Sequence, residues 1–325
     1  MLIFWVGFIL LVFLLLALDL GVFHRKNRVI KTREAILWTA VWIALALVFN
    51  TFIYYAYQNS WLGIEGTAGN IHSGSDAAIK FFTGYVIEKS LSLDNIFVIA
   101  MIFAYFRVPA IYQHRVLFWG ILGALLMRGI MIGAGVALIE KFTWMIYVFG
   151  VFLIITAIKM LIVRHDNLEP EKNILVKIAR KLFPVTDGFE GPRFFSRRGN
   201  ARAVTPLFLV LLIIESTDVL FAVDSIPAIF AITTDPYIIF TSNVFAILGL
   251  RSLYFALAAI MDKFRYIKMS LVFVLAYVGV KMILSHIHPI PTMVSLCIIS
   301  TLLIVGIVAS ITASNRDTAK LQSPL

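Results

Sequence analysis

Nine runs of apolar residues divide the chain, at about 2–23, 36–57, 78–106, 114–139, 142–163, 204–231, 237–260, 266–286 and 292–313. Each is near the ~20 residues that a helix needs to cross the hydrocarbon of a bilayer. In that solvent a segment must satisfy its own backbone N–H and C=O groups, so these runs are expected to be helices. The composition agrees: 61% of residues are hydrophobic, 14% are charged and mean hydropathy is +0.93, whereas about a quarter of a soluble domain is charged. The expected fold is an all-α polytopic membrane protein with about nine transmembrane helices. The first run contains Asp19 and lacks a basic leader, so it reads as a retained span and not as a cleaved signal.

Lysine and arginine between the runs set the orientation. Loops 24–34, 107–115, 164–202, 262–268 and 315–325 are basic, while 58–77, 233–237 and 286–291 hold neither residue. That alternation puts the N-terminus outside and the C-terminus in the cytoplasm. The net charge of +10 lies in these loops, which argues for a lipid bilayer as partner and against nucleic acid. The one cysteine, Cys297, excludes an internal disulfide and a cysteine-cluster metal site. In the longest loop, Ile174 to Phe183 is a basic amphipathic run expected on the cytoplasmic membrane surface. A plain linker is the alternative. Residues 184–199, with Pro184, Gly188, Gly191, Pro192 and Gly199, read as irregular chain.

Two of the apolar runs carry charge. Thr83 to Ile99 holds Glu88, Lys89, Asp94 and Asn95, and Leu211 to Ile226 holds Glu215, Asp218 and Asp224. Ionisable groups inside a span are costly, so each is read as a functional residue. The two stretches also match each other. Ser92-x-Asp94-x-x-Phe97 repeats as Ser216-x-Asp218-x-x-Phe221, an offset of 124 (218 − 94). Arg128 recurs as Arg251 at 123 (251 − 128), and Lys159 as Lys281 at 122 (281 − 159). Each unit holds three spans, an odd number, so tandem copies enter the membrane from opposite sides. Inverted repeats with a site between them are a transporter architecture. The chain accordingly divides into two N-terminal spans (1–77), a first repeat (78–163), a cytoplasmic linker (164–203), a second repeat (204–288) and a last span with its tail (289–325).

The repeat sets Asp94 and Asp218 in matching slots, with Ser92, Asn95, Ser216 and Ser225 around them and Asn243 in the seventh run. Asp94 follows Glu88 by six positions, as Asp224 follows Asp218, which is about 120° around a regular helix. Convergence of all five acids therefore requires local unwinding. Pro227 supplies a cause in the second copy, since it leaves the Val223 carbonyl without a helical donor; the first copy has no such residue. The expected metal ligands are Glu88, Asp94, Glu215, Asp218 and Asp224. All are oxygen donors, and no histidine is expected inside a span, so hard dications such as Mn²⁺, Mg²⁺ or Ca²⁺ are favoured. No organic cofactor is indicated. Arg128 and Arg251 either hold the acids when no metal is bound or form a static charge network with them. Lys159 and Lys281 are expected to snorkel to the interface, Asp19 to be a boundary residue, and the many Phe and Trp side chains to be lipid-facing or interfacial.

The strings GYVIEKSLSLDNIFVI, ESTDVLFAVDSIPAIFAITTDP and TSNVFAILGLRSLYF resemble the signatures of the TerC/Alx family of bacterial membrane proteins over most of the chain. The resemblance implies a nine-span, in some accounts seven-span, inner-membrane protein that exports manganese, with an older association with tellurite resistance. It also implies that the five acids above are the metal site. An oxyanion such as tellurite fits carboxylates poorly, so that association reads as an indirect, metal-linked effect. Three functions stay open at this point: Mn²⁺ export by alternating access, with protons competing for the same oxygens; a metal-binding accessory protein without transport; and an intramembrane aspartyl protease using Asp94 and Asp218. The first is preferred, and it is not an enzymatic function.

Overall fold

The computed structural model describes residues 2–23, 32–61, 73–162, 173–186, 188–198, 201–257, 267–285 and 287–322. Several of the basic loop residues that set the orientation, among them Arg25, Lys26 and Arg164, lie outside the described residues. The apolar runs become α1 (Leu2–Phe23), α2 (Thr32–Gln58), α3 (Gly74–Tyr105), α4 (Ala110–Lys141), α5 (Met145–Ile162), α7 (Pro206–Phe230), α8 (Pro236–Leu248), α9 (Leu250–Leu257), α10 (Ile267–Leu284) and α11 (Thr292–Gln322). The long connection holds α6 (Ile174–Leu182) and an antiparallel hairpin, β1 (Phe195–Arg198) with β2 (Ala201–Val204), in which Phe195 faces Val204. The chain is an all-α polytopic membrane protein, with this one small hairpin among the described residues. Part of the region read as irregular chain, Phe195–Arg198, is thus a strand.

Helix starts follow local chemistry. Ser73 caps α3 by accepting from the Asp76 amide at 3.2 Å. Proline opens α7 and α8, where its missing N–H is no loss. Asp235 caps α8 through the amides of Tyr237 and Ile238 and accepts from the Tyr57 hydroxyl at 2.9 Å, which ties α2 to the α7–α8 corner. Burial pushes the Asp235 carboxyl above its ordinary range; those donors and Lys80 draw it partly back.

Among the described residues, seven segments are long and apolar enough to cross a membrane, counting α8 and α9 as one. The 32-residue α3 is not in that set because Asp76, Lys80, Glu88, Lys89 and Asp94 interrupt it. The α8–α9 segment is the centre of the bundle: 83% of its most apolar stretch is buried in protein, against 22–33% in the other six. Around it α3 packs on α8 and α7, α4 on α7, α2 on α3 and α9, and α5 along α10. At the α5–α10 crossing two glycines face each other. A methyl on Gly150 would sit 3.0 Å from the Gly279 carbonyl, and one on Gly279 would sit 2.8 Å from that of Gly150.

Four expectations change here. The seventh run is interrupted at Gly249, between α8 and α9. The Lys89 ammonium donates to the Ala246 carbonyl at 3.1 Å, in the last turn of α8 where carbonyls lack helical partners. A side chain at Gly249 would meet both that ammonium and Trp42. Second, α7 runs unbroken through Pro227. Third, Phe8, Phe49, Phe81 and Phe245 form a buried ring cluster that packs α1 and α2 onto α3 and α8, so these rings are core and do not face lipid. Fourth, Lys281 is buried instead of snorkelling, and it lines a cavity with Lys80.

Candidate metal centre

Arg128, in the middle of α4, organises the polar core. Its side chain is 2% exposed in a chain whose surface is largely apolar, so its five N–H donors must find partners inside the protein. Nη1 donates to Glu88 in a tight buried ion pair, to Asn243 Oδ1 at 3.2 Å and to Ser225 Oγ at 3.3 Å. Nε and Nη2 donate to the two oxygens of Asp218 at 3.3 and 3.1 Å, a bidentate fork. One guanidinium therefore joins α3, α4, α7 and α8. The other Glu88 oxygen, Oε2, is buried and has no hydrogen-bond partner among the described residues.

On one side of this network lies a cavity of about 60 Å³ bounded by Glu88, Asp94, Asn95, Arg128, Asp224 and Ser225, with apolar walls that include Met160 and Phe221. Asp94 and Asp224 are near enough to repel each other, and Lys159 draws on Asp224 from α5. The Thr156 hydroxyl donates to Asp224 at 3.0 Å. On the other side a smaller cavity, about 20 Å³, is lined by Asp218, Asn95, Thr217 and Arg251. Asn95 and Phe221 line both cavities and separate them. Glu215 lies beyond, beside Asp218, with its carboxylate against Gly123 of α4, where any side chain would collide with it.

The five expected ligands therefore fall into neighbouring groups. Among the described residues no three acidic, histidine or cysteine side chains stand close enough to hold one ion. The cause is the regular α7: without unwinding at Pro227, Asp218 and Asp224 stay about a third of a turn apart and face different cavities. Of the supporting residues, Asn95, Ser225, Asn243 and Arg128 come together as expected. Ser92 does not, since its hydroxyl donates to the Lys89 carbonyl at 2.8 Å. Ser216 points away to α6, where Asn173 Nδ2 donates to its oxygen at 2.7 Å. Arg251 lines the smaller cavity, but its ion pair is with Asp19 at 2.5 Å, and it also donates to the Asp19 carbonyl at 3.2 Å. Asp19, at the end of the first candidate span as expected, is also the buried partner of Arg251, tying α1 to α9. His114, expected at a helix end, stands just inside α4 and is buried.

A profile of the integral membrane protein TerC family matches residues 73–318, which include the five acids and Arg128. The chain belongs to the TerC family. It is 50% identical over 312 residues to an uncharacterized membrane protein of Myxococcus xanthus, covering 96% of this chain and 93% of that one. A similar relative from Rickettsia bellii is 44% identical over 311 residues, covering 96% and 98%. A relative from Escherichia coli K12, 43% identical over 302 residues and 92% and 91% covered, carries the provisional name membrane-bound redox modulator Alx. No solved structure matches. Within this TerC chain, sequence reasoning missed Thr156, Gly123 and Asn173. A hydroxyl alone in an apolar span signalled Thr156, whereas only the packing of α4 on α7 and of α6 on α7 reveals the other two.

Proposed function

We propose that this protein exports a divalent metal ion, foremost Mn²⁺, by alternating access through the carboxylates of α3 and α7. The observation that carries the reading is the cavity that Glu88, Asp94 and Asp224 line beside Arg128. A single guanidinium is divided between two carboxylates, and one buried Glu88 oxygen has no partner among the described residues. A buried carboxylate short of positive charge is expensive; a small dication with oxygen ligands would supply that charge. In this reading Arg128 holds Glu88 and Asp218 when the ion is away, and the ion draws them off when it arrives. Empty and loaded states are then both tolerable, as alternating access needs. Protons compete with metal for the same oxygens, so proton exchange is the simplest drive for export.

The packing supports two inverted repeats, 78–163 and 204–288. Helix α4 lies on α7 as α8 lies on α3, and α5 and α10 pair reciprocally at Gly150 and Gly279. Exchange of the halves carries each pair into the other. Nine spans, an outer N-terminus and a cytoplasmic C-terminus in a bacterial inner membrane complete the proposal. A second reading is an accessory protein that binds metal without moving it, favoured by how fully Arg128 already engages its partners. A protease dyad is less well supported, because Asp218 is held by Arg128 instead of sharing a proton with Asp94. The name of the Alx relatives invites a redox reading, yet with only Cys297 one chain cannot cycle a dithiol.

The test is Mn²⁺ accumulation in cells under manganese load. Asp94→Asn and Asp218→Asn are each expected to cut export by about tenfold or more, the scale on which metal sites respond to altered ligands or their supports. Unchanged export in both removes the site.

A further inference from the structure

Helix α6 presents three stripes. Val176 and Ala179 are buried, and the helix packs on α7. Ile174, Leu175, Ile178 and Leu182 form an exposed apolar stripe, continued by Phe183 and by Phe195 of β1. Lys177, Arg180 and Lys181 form an exposed basic stripe on the remaining arc. Next to them a surface cavity of about 690 Å³ lies between the helix end and the hairpin, lined by Phe183, Arg193, Phe195, Ser196 and Arg197. Arg193 and Arg197 make no ion pair among the described residues. The one acid at the cavity among the described residues, Glu190, accepts from the Ser196 hydroxyl.

We propose that α6 and the β1–β2 hairpin form a binding surface for anionic phospholipid headgroups. The apolar stripe enters the acyl boundary alongside the first three turns of α7, up to Ser216. The basic stripe and the two arginines then stand at headgroup level, five cations against one carboxylate among the described residues. Apolar area and basic charge on adjacent arcs are what an interfacial helix needs, and charge makes the preference anionic. A free anion would use the arginines alone and leave the apolar stripe without a role. The surface is also joined to the polar core, because Asn173, the N-cap of α6, donates to Ser216 between Glu215 and Asp218.

The experiment uses the full chain with Cys297→Ser and Ile178→Cys, labelled with an environment-sensitive dye and titrated in detergent with phosphatidylglycerol or phosphatidylcholine. Phosphatidylglycerol is expected to shift the dye emission to the blue at the lower lipid concentration. Lys177→Gln/Arg180→Gln/Lys181→Gln, all exposed positions, should raise that midpoint at least ~5-fold, the effect of roughly one basic residue at an anionic surface. Arg193→Gln/Arg197→Gln should raise it independently. Equal midpoints for the two lipids, or no change in either variant set, overturns the proposal. So does an equal blue shift with inorganic phosphate, which would make the ligand a free anion.

Discussion

At the scale of single residues the core depends on Arg128. Arg128→Met would keep much of the side-chain volume but leave Glu88 and Asp218 as buried, unpaired carboxylates. Breaking one side of such a pair costs about 3–5 kcal/mol, so thermal unfolding should begin well below the wild-type temperature. If a dication takes the same oxygens, added Mn²⁺ should recover more of that loss in Arg128→Met than it adds to wild type. Equal shifts would count against competition between ion and guanidinium. Gly123 offers a milder change. A methyl there pushes on the flexible end of Glu215 and not on backbone. Gly123→Ala should therefore unfold within about 1 kcal/mol of wild type, yet match Glu215→Gln in Mn²⁺ affinity by titration. The acids, Arg128 and Asn243 were legible in the sequence because polar groups in apolar runs declare themselves. The Asp19–Arg251 pair was not, since 232 positions separate its members and no local pattern joins them.

Among elements, the α5–α10 crossing relies on two absent side chains. Gly279→Ala places its methyl 2.8 Å from both the Gly150 carbonyl and Ile154, whereas Gly150→Ala meets its neighbours at 3.0 Å or more. Overpacking of this kind costs about 1–3 kcal/mol, and Gly279→Ala should be the worse of the two by thermal denaturation. The double variant should cost less than the sum, because one separation of the helices relieves both clashes. Element existence was readable from the apolar runs, as was the basic amphipathic character of α6. The break at Gly249 was not, because a lone glycine in an apolar run gives no sign of the Lys89 and Trp42 side chains that occupy its space. Pro227 misled in the opposite direction: a helix packed on both sides tolerates the lost hydrogen bond and stays regular.

For the whole molecule, the arrangement joins two cavities across a wall of Asn95 and Phe221, with acids on both sides and one arginine reaching Glu88 and Asp218. That geometry suits a site reached from either face by turns, provided α3 and α7 move against each other with α4 and α8 as their respective partners. In the proposed repeat the offsets of 122–124 residues match α3 with α7 and α5 with α10. What spacing alone could not convey was that the acids sit in neighbouring groups. The most direct measurement is Mn²⁺ flux into proteoliposomes containing the purified full-length chain. The account predicts saturable uptake, reduced about tenfold or more by Asp218→Asn and by Asp224→Asn, with both variants still folded. Absence of flux through wild type, or flux that both variants leave intact, would contradict it.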